Sequence, residues 1–144
     1  MKRKILVDTN LYAAFKSNQQ ESVRIIQEAA LVGINVIVIG ELLGGFRSGS
    51  KEDVNRRELD LFLDSPRVEL FLVDDETAEY YAKVFQDLKR KGMPIPSNDM
   101  WIAASAIQHG LWLATKDEHF RSVDGLLLLM AEGGDHGDHN PKAR

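Results

Sequence analysis

Short apolar runs alternate with helix-length amphipathic stretches along almost the whole chain. Ile5-Leu6-Val7 is too short for a helix and carries no polar face, so it reads as a strand. Val36-Ile37-Val38-Ile39, Val68 to Val73, Leu111 to Ala114 and Leu126 to Met130 are four further strand candidates. A strand without polar alternation is buried on both sides, as happens when helices cover both faces of a parallel sheet.

Between these runs the spacing turns helical. Asp8-Thr9-Asn10 are N-capping types, and Leu11 to Phe15 follows as a helix. Val23, Ile26, Ala29 and Ala30 set a helix over Glu21 to Val32, with Gly33 as its stop. Gly40 and Glu41 open a helical stretch through Phe46, and Lys51 to Leu63 forms the next. Glu76 to Arg90 and Asp99 to His109 complete the set, the last capped by Ser97 or Asn98 and closed by Gly110. The expectation is a three-layer α/β sandwich around a central, mostly parallel five-stranded sheet.

A chain of 144 residues is one ordinary domain. Residues 1–131 carry the pattern; residues 132–144 are polar and Gly-rich and are expected to be a disordered tail. There is no cysteine, which excludes disulfide scaffolds and thiolate metal sites. No run approaches the roughly 18–20 apolar residues that cross a bilayer. The basic start, Lys2-Arg3-Lys4, precedes only three apolar residues, too few for a secretory leader, so a cytoplasmic protein is expected.

In parallel α/β sheets ligands bind beyond the carboxyl ends of the strands. Asp8 follows the first predicted strand, Glu41 the second, and Thr115-Lys116-Asp117 the fourth, while Asp99 begins the helix leading into the fourth. Each acid has an ordinary structural explanation: Asp8 as a helix cap, Glu41 and Asp99 as first-turn acids, Asp117 as a turn residue. Together they need more, because unpaired carboxylates beside apolar strands are costly to bury and repel one another. A shared cation resolves both problems. Oxygen ligands, with no cysteine and no histidine assigned beside them, indicate Mg²⁺ or Mn²⁺ rather than zinc. One ion, or two about 3.5–4 Å apart, suits attack of water on a phosphodiester.

The pieces Ile5-Leu6-Val7-Asp8-Thr9-Asn10, Val38 to Phe46, Asn98 to Ala104 and Leu113 to Phe120 resemble the PIN-domain ribonucleases, and among them the VapC-type toxins of toxin–antitoxin modules. The resemblance spans about residues 4 to 130. It implies the strand order 3-2-1-4-5 and a metal-dependent endoribonuclease. It makes Asp8, Glu41, Asp99 and Asp117 the catalytic, metal-binding acids, with Thr115 steadying the last of them and Asn10 beside the pocket. It implies Mg²⁺ or Mn²⁺, a homodimer, an RNA substrate (commonly transfer or ribosomal RNA) and a cognate antitoxin through which DNA is met only indirectly.

Arg47 and Lys51 flank the loop downstream of Glu41 and are candidate substrate-binding groups. Lys89-Arg90-Lys91 and Arg56-Arg57 are denser basic groups that read first as solvated helix faces. His136 and His139, with Asp135 and Asp138, have metal-ligand composition in a tail suited to adventitious binding. Gly44 and Gly49 have the spacing that opens a phosphate-binding loop, but Ser50-Lys51 has the wrong order.

Two other functions fit the same pattern. A receiver-like phosphoacceptor module shares the length and sheet type, but it needs an acidic pair where Asp8 is followed by Thr9. A catalytically silent PIN-like scaffold would bind RNA or protein without turnover. The 22 acids against 18 Lys and Arg speak against binding RNA by bulk charge. Removing the four pocket acids leaves 18, level with the bases, and turns attention to local basic groups at the rim.

Overall fold

The computed structural model describes residues 2–132. In chain order the elements are β1 (Lys4–Val7), α1 (Thr9–Lys16), α2 (Gln20–Glu28), β2 (Leu31–Asn35), α3 (Val36–Ser48) and α4 (Glu52–Asp64). They continue with β3 (Val68–Phe71), α5 (Asp75–Lys91), α6 (Ser97–His109), β4 (Trp112–Thr115), a 3₁₀ helix (Glu118–Ser122) and β5 (Leu128–Met130). The sheet has the order β3-β2-β1-β4-β5, and every adjacent pair is parallel. The expected strand order therefore holds, and the mostly parallel sheet is wholly parallel among the described residues. Among the described residues, six α-helices flank it. The expected tail, with His136 and His139, lies outside the described residues apart from Glu132.

The core is built from the middle of the sheet. Leu6, Val7, Ile34, Leu113 and Ala114 are fully buried, and Leu11, Val38, Ala103 and Ala106 cover them from the helices. The central strands are thus the buried ones, and the edge strands β3 and β5 are more exposed.

The second strand is displaced from its expected place. Val36 to Ile39 is the first turn of α3, and β2 is Leu31–Asn35, which had read as the end of a helix and its stop. Two side chains explain the change. Asn35 is buried, and its Oδ1 accepts the Ile37 N–H at 2.7 Å, so it caps α3 and starts a helix where branched residues had suggested a strand. Its Nδ2 donates to Ser105 Oγ at 2.9 Å and ties the cap to α6. Arg67 ends α2 early: its Nη2 donates to the carbonyls of Ile26 at 2.6 Å and Ala29 at 2.7 Å.

Gly33 is then a strand residue with a packing role. A Cβ there would lie 2.7 Å from the Phe71 ring and 3.1 Å from the Ile5 carbonyl oxygen. Glycine lets Phe71 of the edge strand lie across β2.

Candidate active site

β1 leads to β2 and β3 on one side of the sheet, and β4 and β5 lie on the other. The direction of winding reverses between β1 and β4, where open α/β sheets form their binding crevice. The register pairs Val7 with Ala114, and the Asp8 N–H donates to the Ala114 carbonyl at 3.2 Å. Asp8 and Thr115 consequently emerge side by side at the carboxyl edge.

Asp8 is buried, and both its oxygens are engaged. Oδ1 accepts the Leu11 N–H at 2.8 Å, capping α1, and Oδ2 accepts the Thr115 hydroxyl. The residue caps α1 as its ordinary explanation has it, and it also lines the cavity at the carboxyl edge. Burial is the main influence on its acidity and pushes the pKa up to about 6, against the two hydrogen bonds and with the nearby charges of Asp117 and Asp99.

Glu41 comes from the second turn of α3 rather than from a strand end. The helix begins beside β1 and projects Glu41 back over the crevice. There its Oε1 accepts the Thr9 hydroxyl at 2.6 Å. Asp99 sits in the first turn of α6, whose N-cap is Pro96, so neither Ser97 nor Asn98 is the cap. Its pKa is raised by burial above all, partly offset by a contact with His119, while the charges of Glu41 and Asp117 add to the rise. Asp117 precedes the 3₁₀ helix, and its Oδ2 accepts from Asn10 Nδ2 at 3.3 Å.

The four acids line one cavity of about 350 Å³, together with Thr9, Asn10, Pro96, Ser97 and Asn98. Among the described residues, no lysine or arginine lines it. Thr115 acts on two acids at once: its hydroxyl donates to the Asp8 carboxylate and accepts the Asp117 N–H at 2.9 Å. It steadies the last acid through the backbone and the first through the side chain.

His119 is the site residue that sequence reasoning missed. Its Nε2 lies 2.7 Å from Asp99 Oδ2, and its Nδ1 lies 3.4 Å from Asp117 Oδ1. The reading that no histidine stood near the acids is corrected here. The available signal was its position two residues after Asp117, in the short 3₁₀ helix that follows that acid. Thr9 was likewise passed over between Asp8 and Asn10.

Arg47 and Lys51 do not line the acid cavity. Arg47, near the end of α3, is 3.5 Å from Glu52, and Lys51 caps α4 on the loop between the two helices. Trp101 stacks on Tyr81 with ring centroids 4.1 Å apart, and Lys91 is held by Asp124 and the Ser122 carbonyl.

A wholly parallel five-stranded sheet with four acids at its switch point defines the chain as an α/β protein of the PIN type. The PIN domain family model matches residues 5–126, and the chain belongs to that family. Ribonuclease VapC4 of Mycobacterium tuberculosis is 26% identical over 127 residues, covering 88% of this chain and 96% of the relative. Ribonuclease VapC2 of Rickettsia felis is 29% identical, covering 85% and 94%. Among solved structures, VapBC2 from Rickettsia felis bound to a DNA fragment from their promoter superposes with a TM-score of 0.80 at 26% identity, covering 89% of this chain and 98% of the other. FitAcB from Neisseria gonorrhoeae gives a TM-score of 0.73 at 30% identity, covering 87% and 96%.

Proposed function

We propose that this chain is the toxin component of a toxin–antitoxin module, a divalent-cation-dependent endoribonuclease that hydrolyses RNA phosphodiester bonds. The observation that carries the reading is the convergence of Asp8, Glu41, Asp99 and Asp117 on one cavity at the β1/β4 switch point, with no basic side chain among the described residues in the lining. The donor set fits a hard divalent cation: carboxylate oxygens from four elements face a common space, and Asp8 and Asp99 hold their protons unusually tightly without one. Asp8, Glu41, Asp99 and Asp117 would hold Mg²⁺ or Mn²⁺. The bound ion would supply a water of lowered pKa and charge stabilisation at a phosphoryl oxygen.

The protein's own groups orient these acids. Thr115 holds the Asp8 carboxylate, Thr9 holds Glu41, and Asn10 touches Asp117. A carboxylate that does not bind the ion directly is placed to take a proton from the attacking water. Arg47, near the end of α3, and Lys51, on the α3–α4 loop, are candidates for contacting RNA phosphates outside the cavity. The names of the relatives support the ribonuclease activity, and the VapBC2 structure supports a protein partner that brings the toxin to promoter DNA. A homodimer, transfer or ribosomal RNA as target, and a cytoplasmic location complete the reading. No described helix is long and apolar enough to cross a membrane.

The test is cleavage of transfer and ribosomal RNA by the purified chain with Mg²⁺ or Mn²⁺. Activity is expected to vanish in EDTA and in Asp8→Asn and Asp99→Asn while the fold is retained. Cleavage by both variants at the wild-type rate refutes the site. RNA binding without any product would favour the silent scaffold. The phosphoacceptor alternative is disfavoured because Asp8 is buried and both its oxygens are engaged.

A further inference from the structure

We propose that His119 is itself a ligand of the bound cation, and that it makes the site prefer a first-row transition ion such as Mn²⁺ over Mg²⁺. The inference rests on the reading that the acid cavity holds a divalent cation. One atom each from Asp99, Asp117 and His119 lie within 4.8 Å of one another. Ligand atoms about 2.1 Å from a common ion stand roughly 3 Å apart when adjacent and about 4 Å apart when opposed. The 2.7 Å separation of His119 Nε2 from Asp99 Oδ2 is close to an adjacent pair. The ring's other nitrogen, 3.4 Å from Asp117 Oδ1, keeps the imidazole between the two acids.

Asp8 and Glu41 are less free to close on an ion at this point. Asp8 has both oxygens engaged by Leu11 and Thr115, and Glu41 Oε1 accepts from Thr9. The triad of Asp99, Asp117 and His119 offers two oxygens and a nitrogen. Mg²⁺ takes oxygen ligands and keeps its waters, whereas an imidazole nitrogen binds first-row transition ions more strongly than Mg²⁺, Mn²⁺ least among them. Phe120, buried directly after His119, anchors the 3₁₀ helix and packs against the imidazole with ring centroids 4.9 Å apart. The histidine is therefore held beside Asp99 and Asp117, two of the acids that line the cavity, although it is itself outside the lining.

The experiment is Mn²⁺ and Mg²⁺ binding to the metal-free full chain, wild type against His119→Ala and His119→Gln, with ¹⁴N couplings read by electron spin echo on the Mn²⁺ complex. His119→Gln retains a hydrogen-bond donor toward Asp99 but removes the imidazole nitrogen. Wild type is expected to show an imidazole ¹⁴N coupling and to bind Mn²⁺ more tightly than Mg²⁺. Both variants should lose the coupling and about tenfold or more in Mn²⁺ affinity, with Mg²⁺ affinity changed less than about threefold. An absent coupling in wild type, or unchanged Mn²⁺ affinity in both variants, overturns the assignment while leaving the four-acid site standing. Failure of both ions to bind wild type overturns this assignment and the metal-dependent reading together.

Discussion

The Thr115 hydroxyl donates to the Asp8 carboxylate across the junction of β1 and β4, joining residues 107 positions apart in the chain. The same oxygen accepts the backbone N–H of Asp117 at 2.9 Å. One small side chain therefore sets the first acid and the last acid relative to each other, and the parallel register of the two central strands makes this possible.

Thr115→Val keeps the shape of a fully buried side chain and deletes both hydrogen bonds. Asp8 Oδ2 then lacks its protein donor, at a stability cost of about 1–3 kcal/mol. The Thr115 bond lowers the Asp8 pKa, so its loss should raise it further. RNA cleavage should fall at least about tenfold, as for loss of a group orienting a metal ligand. The Asp8 carboxyl chemical shift followed against pH, together with cleavage rates, checks both parts. An unmoved titration would mean that the hydroxyl does not act on Asp8.

Asp8 also predicts a pH dependence of stability in metal-free protein. Its pKa is about 6 in the fold against 3.8 ordinarily. Between those values the native state keeps a proton that the unfolded chain has released, so this group's contribution falls as pH rises and levels off above about 6. The full difference is about 3 kcal/mol. Other carboxylates titrate in the same range, so the quantity to measure is the unfolding free energy of wild type minus that of Asp8→Asn, in EDTA. It should decrease from pH 4 to 6.5, and added Mn²⁺ should offset the decrease. A flat difference would show that Asp8 ionises normally.

Gly33→Ala should destabilise the fold by about 1–3 kcal/mol, because the new methyl would meet the Phe71 ring at 2.7 Å. Trimming that ring in the double variant Gly33→Ala/Phe71→Leu should recover part of the loss. Denaturant unfolding of the two variants decides it. Equal losses in both would place the strain against the Ile5 carbonyl instead.

Much of this protein was legible along the chain. The apolar runs at Ile5, Val68, Leu111 and Leu126 lie in or beside β1, β3, β4 and β5, because strands of a parallel sheet covered by helices on both faces are mostly apolar. The four acids were recognisable for the opposite reason: carboxylates beside such strands need a shared purpose. The element that failed, the second strand, failed on competition between local preference and distant contacts. Val36 to Ile39 has strand propensity, but Asn35, anchored to Ser105 of α6, caps a helix there. Arg67, brought over by β3, takes the carbonyls that end α2 and frees Leu31 to Asn35 to pair with β1.

Sequence alone determined the residue types at the carboxyl edge and the kind of sheet that would carry them, since both follow from burial and charge read locally. Tertiary structure decided that both oxygens of Asp8 are engaged, that Glu41 arrives from a helix, and that His119 stands between Asp99 and Asp117. Those are relations between side chains from separate elements. They come into being only when β1, β4, α3 and α6 pack against one another and bring distant polar atoms within hydrogen-bonding distance.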